Sequence, residues 1–419
     1  MIFVMFILMF VLFFLMVPVA VSLGLASAVA AIGLNFPIGN IAQKFLMGLN
    51  SFTLLAVPFF ILAGTLMAES GISDRIIDFV SSMVGHHRGG LAVVMIFTCM
   101  VFGALTGSPS ATISAIGSIM IPHMVKRGYE IRFTAATQAA SANLADLIPP
   151  SIGMILYGVA TNTSIRDLFM AGLVPGILLG CIFAVYANRR CIKLGIQGEP
   201  RQSWPQRWAC FKKSIWALLM PCIILGGIYG GFFTATESAA VAVLYACFVS
   251  LFVYRTLNLR SMFRVFIKAG INVAIIMLIL STANLFAYIL TYMQIPNLAA
   301  EWFVSIAHNK YIFLLIVNLF LLVVGMFFDP GPGVIILAPI LAPAATALGI
   351  DIVHFGAIMT MNFCVGACTP PFAVNLFVSS QVSGIKFEEI VKPILPYIAI
   401  MIAALFLISY VPQISLLLV

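Results

Sequence analysis

Three acids and a set of small hydroxyl and amide side chains hold most of the chemistry this chain can offer inside its apolar stretches. Asp146, Glu237 and Asp329 fall in apolar or helix-breaking segments, whereas the other acids lie in polar loops or at the ends of apolar runs. An ionisable group placed within a bilayer is costly and marks a functional site by default. Around these acids cluster Thr106, Ser108, Ser110, Thr112 and Ser114, then Ser141, Asn143 and Ser151, then Asn362, Thr369 and Asn375. Hydroxyl and carboxamide oxygens, with carbonyls freed where a helix is broken, suit a Na⁺ site. Each cluster adjoins helix breakers: Gly107-Ser108-Pro109, Pro149-Pro150 and Pro370-Pro371. No Lys or Arg falls in the middle of an apolar stretch. An anion held at mid-depth must therefore draw on the free N–H groups of helix starts, or on a bound cation.

The Na⁺ candidates are Ser108, Ser110, Ser141, Asn143, Asp329, Asn362, Gly366 and Thr369. The substrate candidates are Thr106, Ser108, Ser110, Pro149, Pro150, Ser151, Thr369, Pro370, Pro371 and Asn375. Any single hydroxyl among them could instead bond its own helix backbone or a neighbouring helix. The clustering at matched breaks is what points to a site. The acids also admit two roles each. Asp329 could bind a cation or cap the helix that follows it. Asp146 could hold a cation or a proton, or face water in the break. Thr234 and Glu237 have capping-box spacing, which is a sufficient structural reason for that acid.

The breakers themselves repeat. Pro109, Pro122, Gly128, Pro149, Pro150 and Pro175 recur as Pro330, Pro343, Gly349, Pro370, Pro371 and Pro396, all at one offset of 221 residues. Matched breaks in two membrane halves are the signature of a secondary transporter whose site lies at the breaks. The composition agrees. Of 419 residues, 63% are hydrophobic and 8% charged, and the mean hydropathy is +1.15. No water-soluble domain hides that much apolar surface, so the chain is an all-α integral membrane protein.

The apolar runs give one plan twice. Spans fall at 1–16, 18–34 and 50–70, a short pair at 91–106 and 111–125, a broken helix at 131–160, and a span at 168–187. The second set is 214–231, 235–254, 269–292, a pair at 311–328 and 334–348, a broken helix at 355–381, and 393–411. The first member of the first pair is ~24 Å long at ~1.5 Å per residue, against a hydrocarbon core of ~30 Å. The pairs therefore read as re-entrant hairpins, with ordinary spans and tight loops as the competing reading. With re-entrant hairpins each repeat crosses five times, and an odd number inverts the second repeat relative to the first. The expected division is a first repeat over 1–187, a basic cytoplasmic linker over 188–213 and a second repeat over 214–419. With both termini outside, 18 of the 21 Lys and Arg residues fall inside and only Lys44, Arg166 and Lys310 outside, as the positive-inside rule requires. The net charge of +8 is thus a topology signal and not a nucleic-acid footprint.

Other chemistries find no support. There is no phosphate-binding loop for ATP, and no nucleophile–base pair or metalloprotease motif for an enzyme. His86 and His87 belong to a solvated loop. Cys364 and Cys368 share a helical face and read as small packing residues.

The chain resembles the large membrane subunit of the tripartite ATP-independent periplasmic (TRAP) transporters, the dicarboxylate-transporter M-type family. The resemblance rests on Val57-Pro58-Phe59-Phe60-Ile61-Leu62-Ala63-Gly64, on Thr106-Gly107-Ser108-Pro109-Ser110-Ala111-Thr112 with Ile121-Pro122, and on Leu147-Ile148-Pro149-Pro150-Ser151-Ile152. It continues through Leu168-Phe169-Met170-Ala171-Gly172 with Pro175-Gly176, Phe233-Thr234-Ala235-Thr236-Glu237, and Thr369-Pro370-Pro371 with Asn375-Leu376-Phe377. Two residues depart from the family pattern: Asp146 stands where an apolar residue is usual, and Ala235 where proline is usual. The resemblance implies a Na⁺-coupled importer of organic anions in the bacterial inner membrane, with more than one Na⁺ site and an elevator mechanism. It also implies two partners, a small four-helix membrane subunit and a periplasmic substrate-binding protein. The scaffold would then be roughly 1–48, 168–187, 214–268 and 393–411. A stand-alone Na⁺/dicarboxylate or citrate symporter, or a channel or permease subunit, is the alternative from residues alone.

Overall fold

The computed structural model describes residues 1–15, 17–306, 309–328 and 330–419. The described residues form helices joined by short turns. In chain order the first set is α1 (Ile2–Phe14), α2 (Val19–Gly33), α3 (Ile38–Met47), α4 (Ala56–Glu69), α5 (Ile72–Val84), α6 (Gly90–Thr106), α7 (Pro109–Lys126), α8 (Ile131–Ala142), α9 (Ile152–Thr161) and α10 (Ile165–Lys193). The second set is α11 (Trp204–Tyr229), α12 (Ala235–Phe248), α13 (Leu259–Tyr292), α14 (Ile295–Ile306), α15 (Lys310–Gly325), α16 (Pro330–Ala347), α17 (Ile352–Gly366), α18 (Val374–Ser383), α19 (Phe387–Tyr410) and α20 (Gln413–Leu416). Among the described residues, seven helical stretches are long and apolar enough to cross a bilayer, and six shorter apolar helices accompany them. In a bilayer a helix satisfies all its backbone groups internally, which is why so apolar a chain folds this way.

The offset seen in the sequence extends to backbone detail. α7 and α16 start at the matched prolines 109 and 330, and α8 and α17 start at 131 and 352. Gly128 and Gly349 both have positive φ, and Pro149-Pro150 and Pro370-Pro371 are both cis. α5 corresponds to α14, and α3 with α4 corresponds to the single 34-residue α13.

Three helices lie where the hydropathy reading has loops. α3, α5 and α14 are short and amphipathic, so a search for apolar runs passes over them. In α5 the buried Ile72, Ile76, Ile77 and Val80 share one face, while Asp74 and Asp78 are exposed on the other. Helices also extend into the basic stretches: α10 runs to Lys193, α11 starts at Trp204 and α13 at Leu259. Ser203 and Asn258 cap those last two starts.

The halves interlock. α7 packs on α18 and α9 packs on α16, so each pair's second helix lies against the other half's broken helix. α10 and α19 pack on α6, α8 and α17. That differs from the sequence reading, which groups 168–187 and 393–411 with the outer helices. Tyr397 shows the contact: its ring meets Phe183 edge-on at 5.2 Å, and its hydroxyl lies 2.8 Å from Thr137 Oγ1. α1, α2, α4, α12 and α13 pack among themselves as an outer layer.

Candidate substrate and cation site

The first hairpin tip is built in three residues. Thr106 ends α6, and Gly107 turns the chain with φ +59°, its N–H bonding Gly103 O at 2.8 Å. A Cβ at Gly107 would lie 2.5 Å from the Pro150 carbonyl oxygen. Glycine is needed here both for the left-handed turn and for the close approach to the break. Ser108 then caps α7, accepting from Ala111 N–H at 3.4 Å, and Pro109 takes the first helical position. Thr112 donates to Ser108 O at 2.9 Å and lies 3.2 Å from Thr106 Oγ1. Ser114 donates to Ser110 O.

The first break follows the same logic. α8 tightens into a 3₁₀ turn over Asn143–Asp146, and after the cis proline pair Ser151 caps α9, accepting from Met154 N–H at 3.2 Å. In the second break α17 ends at Gly366, and Ala373, with φ +39°, precedes α18. A Cβ on Gly366 would lie 2.3 Å from Gly325 C, just as one on Gly103 would lie 2.8 Å from Ala145 Cα. Backbones thus cross at contact distance beside both breaks.

One buried polar network ties the breaks together. Asn143 Nδ2 donates to Cys364 O and approaches Cys368 Sγ, each at 2.8 Å, and Asn375 Nδ2 donates to Asn143 Oδ1. Cys364 Sγ lies 4.0 Å from Asp146 Oδ2. A second network runs from Ser409 through Asn318 to Asn362, whose Nδ2 donates to Asn318 Oδ1 at 2.8 Å and Ile358 O at 2.9 Å. Asn362 Oδ1 is buried and accepts no hydrogen bond from the described residues. Ser141 and Thr369 each donate to a carbonyl one turn back, at 2.6 and 2.7 Å.

Between the tips and breaks lies a cavity of about 270 Å³. The starts of four helices line it: Ser108, Pro109 and Ser110 at α7, Ile152 and Gly153 at α9, Pro330, Gly331 and Pro332 at α16, and Asn375 at α18. Asp146 also lines it, and Ile275, Ile276 and Ile279 of α13 form an apolar wall. Ser108, Ser110 and Asn375 of the sequence-predicted residues therefore share one cavity, as does Asp146. Thr106, Pro149, Pro150, Ser151, Thr369, Pro370 and Pro371 flank it in sequence and are not among its lining residues. Ser141, Asn143, Asn362 and Gly366 lie deeper, all buried. Asp329 lies outside the described residues. Glu237 is exposed and forms the expected capping box: its carboxylate accepts from Thr234 N–H at 2.8 Å, and Thr234 Oγ1 accepts from Glu237 N–H at 3.2 Å.

The sequence reading missed Asn318, and it treated Cys364 and Cys368 as packing alone. An amide in the middle of the apolar run 311–328 is a visible signal for Asn318. For the cysteines there was none, since their partner is 221 and 225 residues away. The α13 wall carries no motif.

The family described as "Tripartite ATP-independent periplasmic transporter, DctM component" matches residues 6–414. The C4-dicarboxylate TRAP transporter large permease protein DctM of Pseudomonas aeruginosa is 44% identical over 399 residues, covering 94% of this chain and 93% of that protein. The sialic acid TRAP transporter large permease protein SiaM of Vibrio cholerae is 38% identical, covering 92% and 90%. The ectoine TRAP transporter large permease protein TeaC of Halomonas elongata is 36% identical, covering 90% and 88%. Among solved structures, the YdaH transporter of Alcanivorax borkumensis is similar with a TM-score of 0.66 at 13% identity, covering 89% of this chain and 87% of that one. That likeness concerns the fold alone.

Proposed function

The chain belongs to the family of the DctM component of TRAP transporters, a large permease subunit and not an enzyme, and from that premise we propose that it is a Na⁺-coupled importer of small carboxylates. The observation that carries the reading is the cavity. Four helix starts drawn from both halves meet around it, and its described lining residues include no Lys, Arg or His. Helix starts offer free N–H groups and the positive end of the helix dipole, which suits a carboxylate. Ile275, Ile276 and Ile279 lie in the apolar run 269–292 of α13, beyond the basic residues Arg260, Arg264 and Lys268 near its start, so the cavity adjoins the membrane-spanning part of that helix, the region in which secondary transporters bind substrate. The relatives are named for a C4-dicarboxylate, sialic acid, ectoine and isethionate, three of which carry a carboxylate and the fourth a sulfonate.

Na⁺ fits the residues present. The Asn362 carboxamide oxygen is buried without a donor among the described residues, a state that costs ~1–3 kcal/mol unless something satisfies it. Gly366 and Thr369 on its own broken segment, with Ser141 and Asn143 on the matched one, are the groups that would hold the ion. Bound there, Na⁺ supplies the positive charge that the side chains lack. α6–α9 with α15–α18 form the moving body of an elevator, to which α10 and α19 add their packing, and the outer layer with its α13 wall forms the scaffold. The repeats are inverted, residues 1–187 and 214–419 flank the cytoplasmic linker 188–213, and both termini face the periplasm of the inner membrane. The 18-to-3 division of basic residues supports that orientation. The partners are a small membrane subunit and a periplasmic binding protein.

The test is uptake by vesicles reconstituted with both membrane subunits and the binding protein carrying its ligand. Accumulation should require an inward Na⁺ gradient. Equal accumulation in choline buffer with a proton gradient would remove Na⁺ coupling from the account.

A further inference from the structure

The carboxamides of Asn318 on α15 and Asn362 on α17 meet where those helices pack, both 0% exposed, and the buried Ser409 of α19 stands behind Asn318. One backbone carbonyl fixes the orientation of both amides. The group of Asn362 that lies 2.9 Å from Ile358 O must be the N–H₂, because a carbonyl only accepts. That same Nδ2 lies 2.8 Å from Asn318, so Asn318 presents its oxygen there, and its own Nδ2 is left to donate to Ser409 Oγ at 3.0 Å. Two amides that served only to join helices could pair reciprocally and satisfy both oxygens. This pair is one-sided. The Asn362 nitrogen is spent on Asn318 and Ile358, and its Oδ1 is buried with no donor among the described residues. At the matched positions of the first half stand Phe97 and Ser141, and Ser141 donates to Thr137 O at 2.6 Å, so the arrangement has no counterpart there.

Resting on the Na⁺ reading above, we propose that Asn318 is a positioning residue for the cation site: it holds the Asn362 carboxamide so that the oxygen, and not the nitrogen, is presented to Na⁺. Half a turn of that amide would set its oxygen against two acceptors, Asn318 Oδ1 and Ile358 O. It would also point N–H groups, which repel a cation, at the place where the ion is held. Asn318 makes this flip unfavourable from one side and Ile358 from the other. Both polar atoms of Asn318 are engaged, one on Asn362 and one on Ser409, so it acts through Asn362 and does not itself hold the ion. The orientation of the ligand is thereby set from α19, through α15, to α17.

The experiment is thermal unfolding of the full chain in detergent, titrated with NaCl at constant ionic strength made up with choline chloride. It reads the Na⁺ concentration that gives half-maximal stabilisation. Asn318→Leu should raise that concentration at least ~fivefold, the worth of one typical hydrogen bond. Asn318→Asp should return it toward the wild-type value, because a carboxyl oxygen still accepts from Asn362 Nδ2 and Ser409 can turn its hydroxyl to the other oxygen. A residue that only joins helices would behave differently: its loss would lower the unfolding temperature in Na⁺-free buffer and leave the half-maximal concentration unchanged. That result for Asn318→Leu, with Asn362→Ala still shifted, would overturn the inference and leave the cation reading standing. So would an Asn318→Asp protein no better than Asn318→Leu. An unchanged Na⁺ response in Asn362→Ala, or none in the wild type, would instead overturn the cation reading and the inference with it. Should Asn318→Leu not fold, Ser409→Ala frees the far end of Asn318 and should also raise the half-maximal concentration; an unchanged value there would overturn the inference.

Discussion

Gly107→Ala is the sharpest perturbation of the site's construction. The residue has φ +59°, and a methyl placed on it would meet the Pro150 carbonyl oxygen at 2.5 Å. A left-handed turn costs a non-glycine residue ~1–2 kcal/mol. The clash adds a second cost, because its partner is backbone in a buried break and cannot swing aside; overpacking of this kind costs ~1–3 kcal/mol. The sum is a loss of ~2–5 kcal/mol. Gly128→Ala supplies the control. That glycine also has positive φ, but no atom lies within 4 Å of its would-be Cβ, so only the ~1–2 kcal/mol conformational cost applies. Thermal unfolding of both variants in detergent, at one scan rate, should place Gly107→Ala well below Gly128→Ala. Gly107 also lines the cavity, so ligand stabilisation should weaken in the first variant and persist in the second. Equal losses of stability would refute the claim that the hairpin tip rests on the proline break.

Three further outcomes follow from the same residues. Asn362→Ala should raise the Na⁺ concentration needed for half-maximal uptake several-fold, since it removes a buried oxygen with no donor among the described residues; an unchanged Na⁺ requirement would move the cation elsewhere. Glu237→Gln should retain most uptake, because Gln completes the box with Thr234, whereas Asp329→Asn, at the breaker-rich second tip, should abolish it; the opposite ranking at equal expression would exchange their roles. In a cysteine-free background, an impermeant thiol reagent added from the periplasm should label Lys310→Cys and not Arg207→Cys, and labelling of position 207 would reverse the topology.

The sequence made the breaks legible because proline and glycine act locally. Pro109 and Pro330 set helix starts wherever the rest of the chain lies, and the two proline pairs mark the two breaks. Capping was legible for the same reason: the Thr234 and Glu237 pair forms the box that its spacing requires. What the sequence concealed depends on distant partners. Asn143 finds Cys364 and Asn375 across the interface between halves, and no local pattern announces that. The α13 wall is three isoleucines in an apolar run, indistinguishable in sequence from a lipid-facing stretch. α5 and α14 carry apolar residues on one face and polar ones on the other, so their mean hydropathy does not mark them out. The grouping of α10 and α19 with the inner helices is a matter of packing, and two uniformly apolar helices carry no sequence label for which neighbour they choose.

The central claim is that the cavity between the two tips is the transport site and is exposed to each side in turn. Ser110→Cys in the cysteine-free chain, reconstituted with its partners, tests this directly with an impermeant thiol reagent applied from either face. Ser110 lines the cavity and is half-buried. Labelling should occur from both faces, and substrate together with Na⁺ should slow it from each. Labelling from one face only, or labelling that substrate and Na⁺ leave unchanged, would contradict the account.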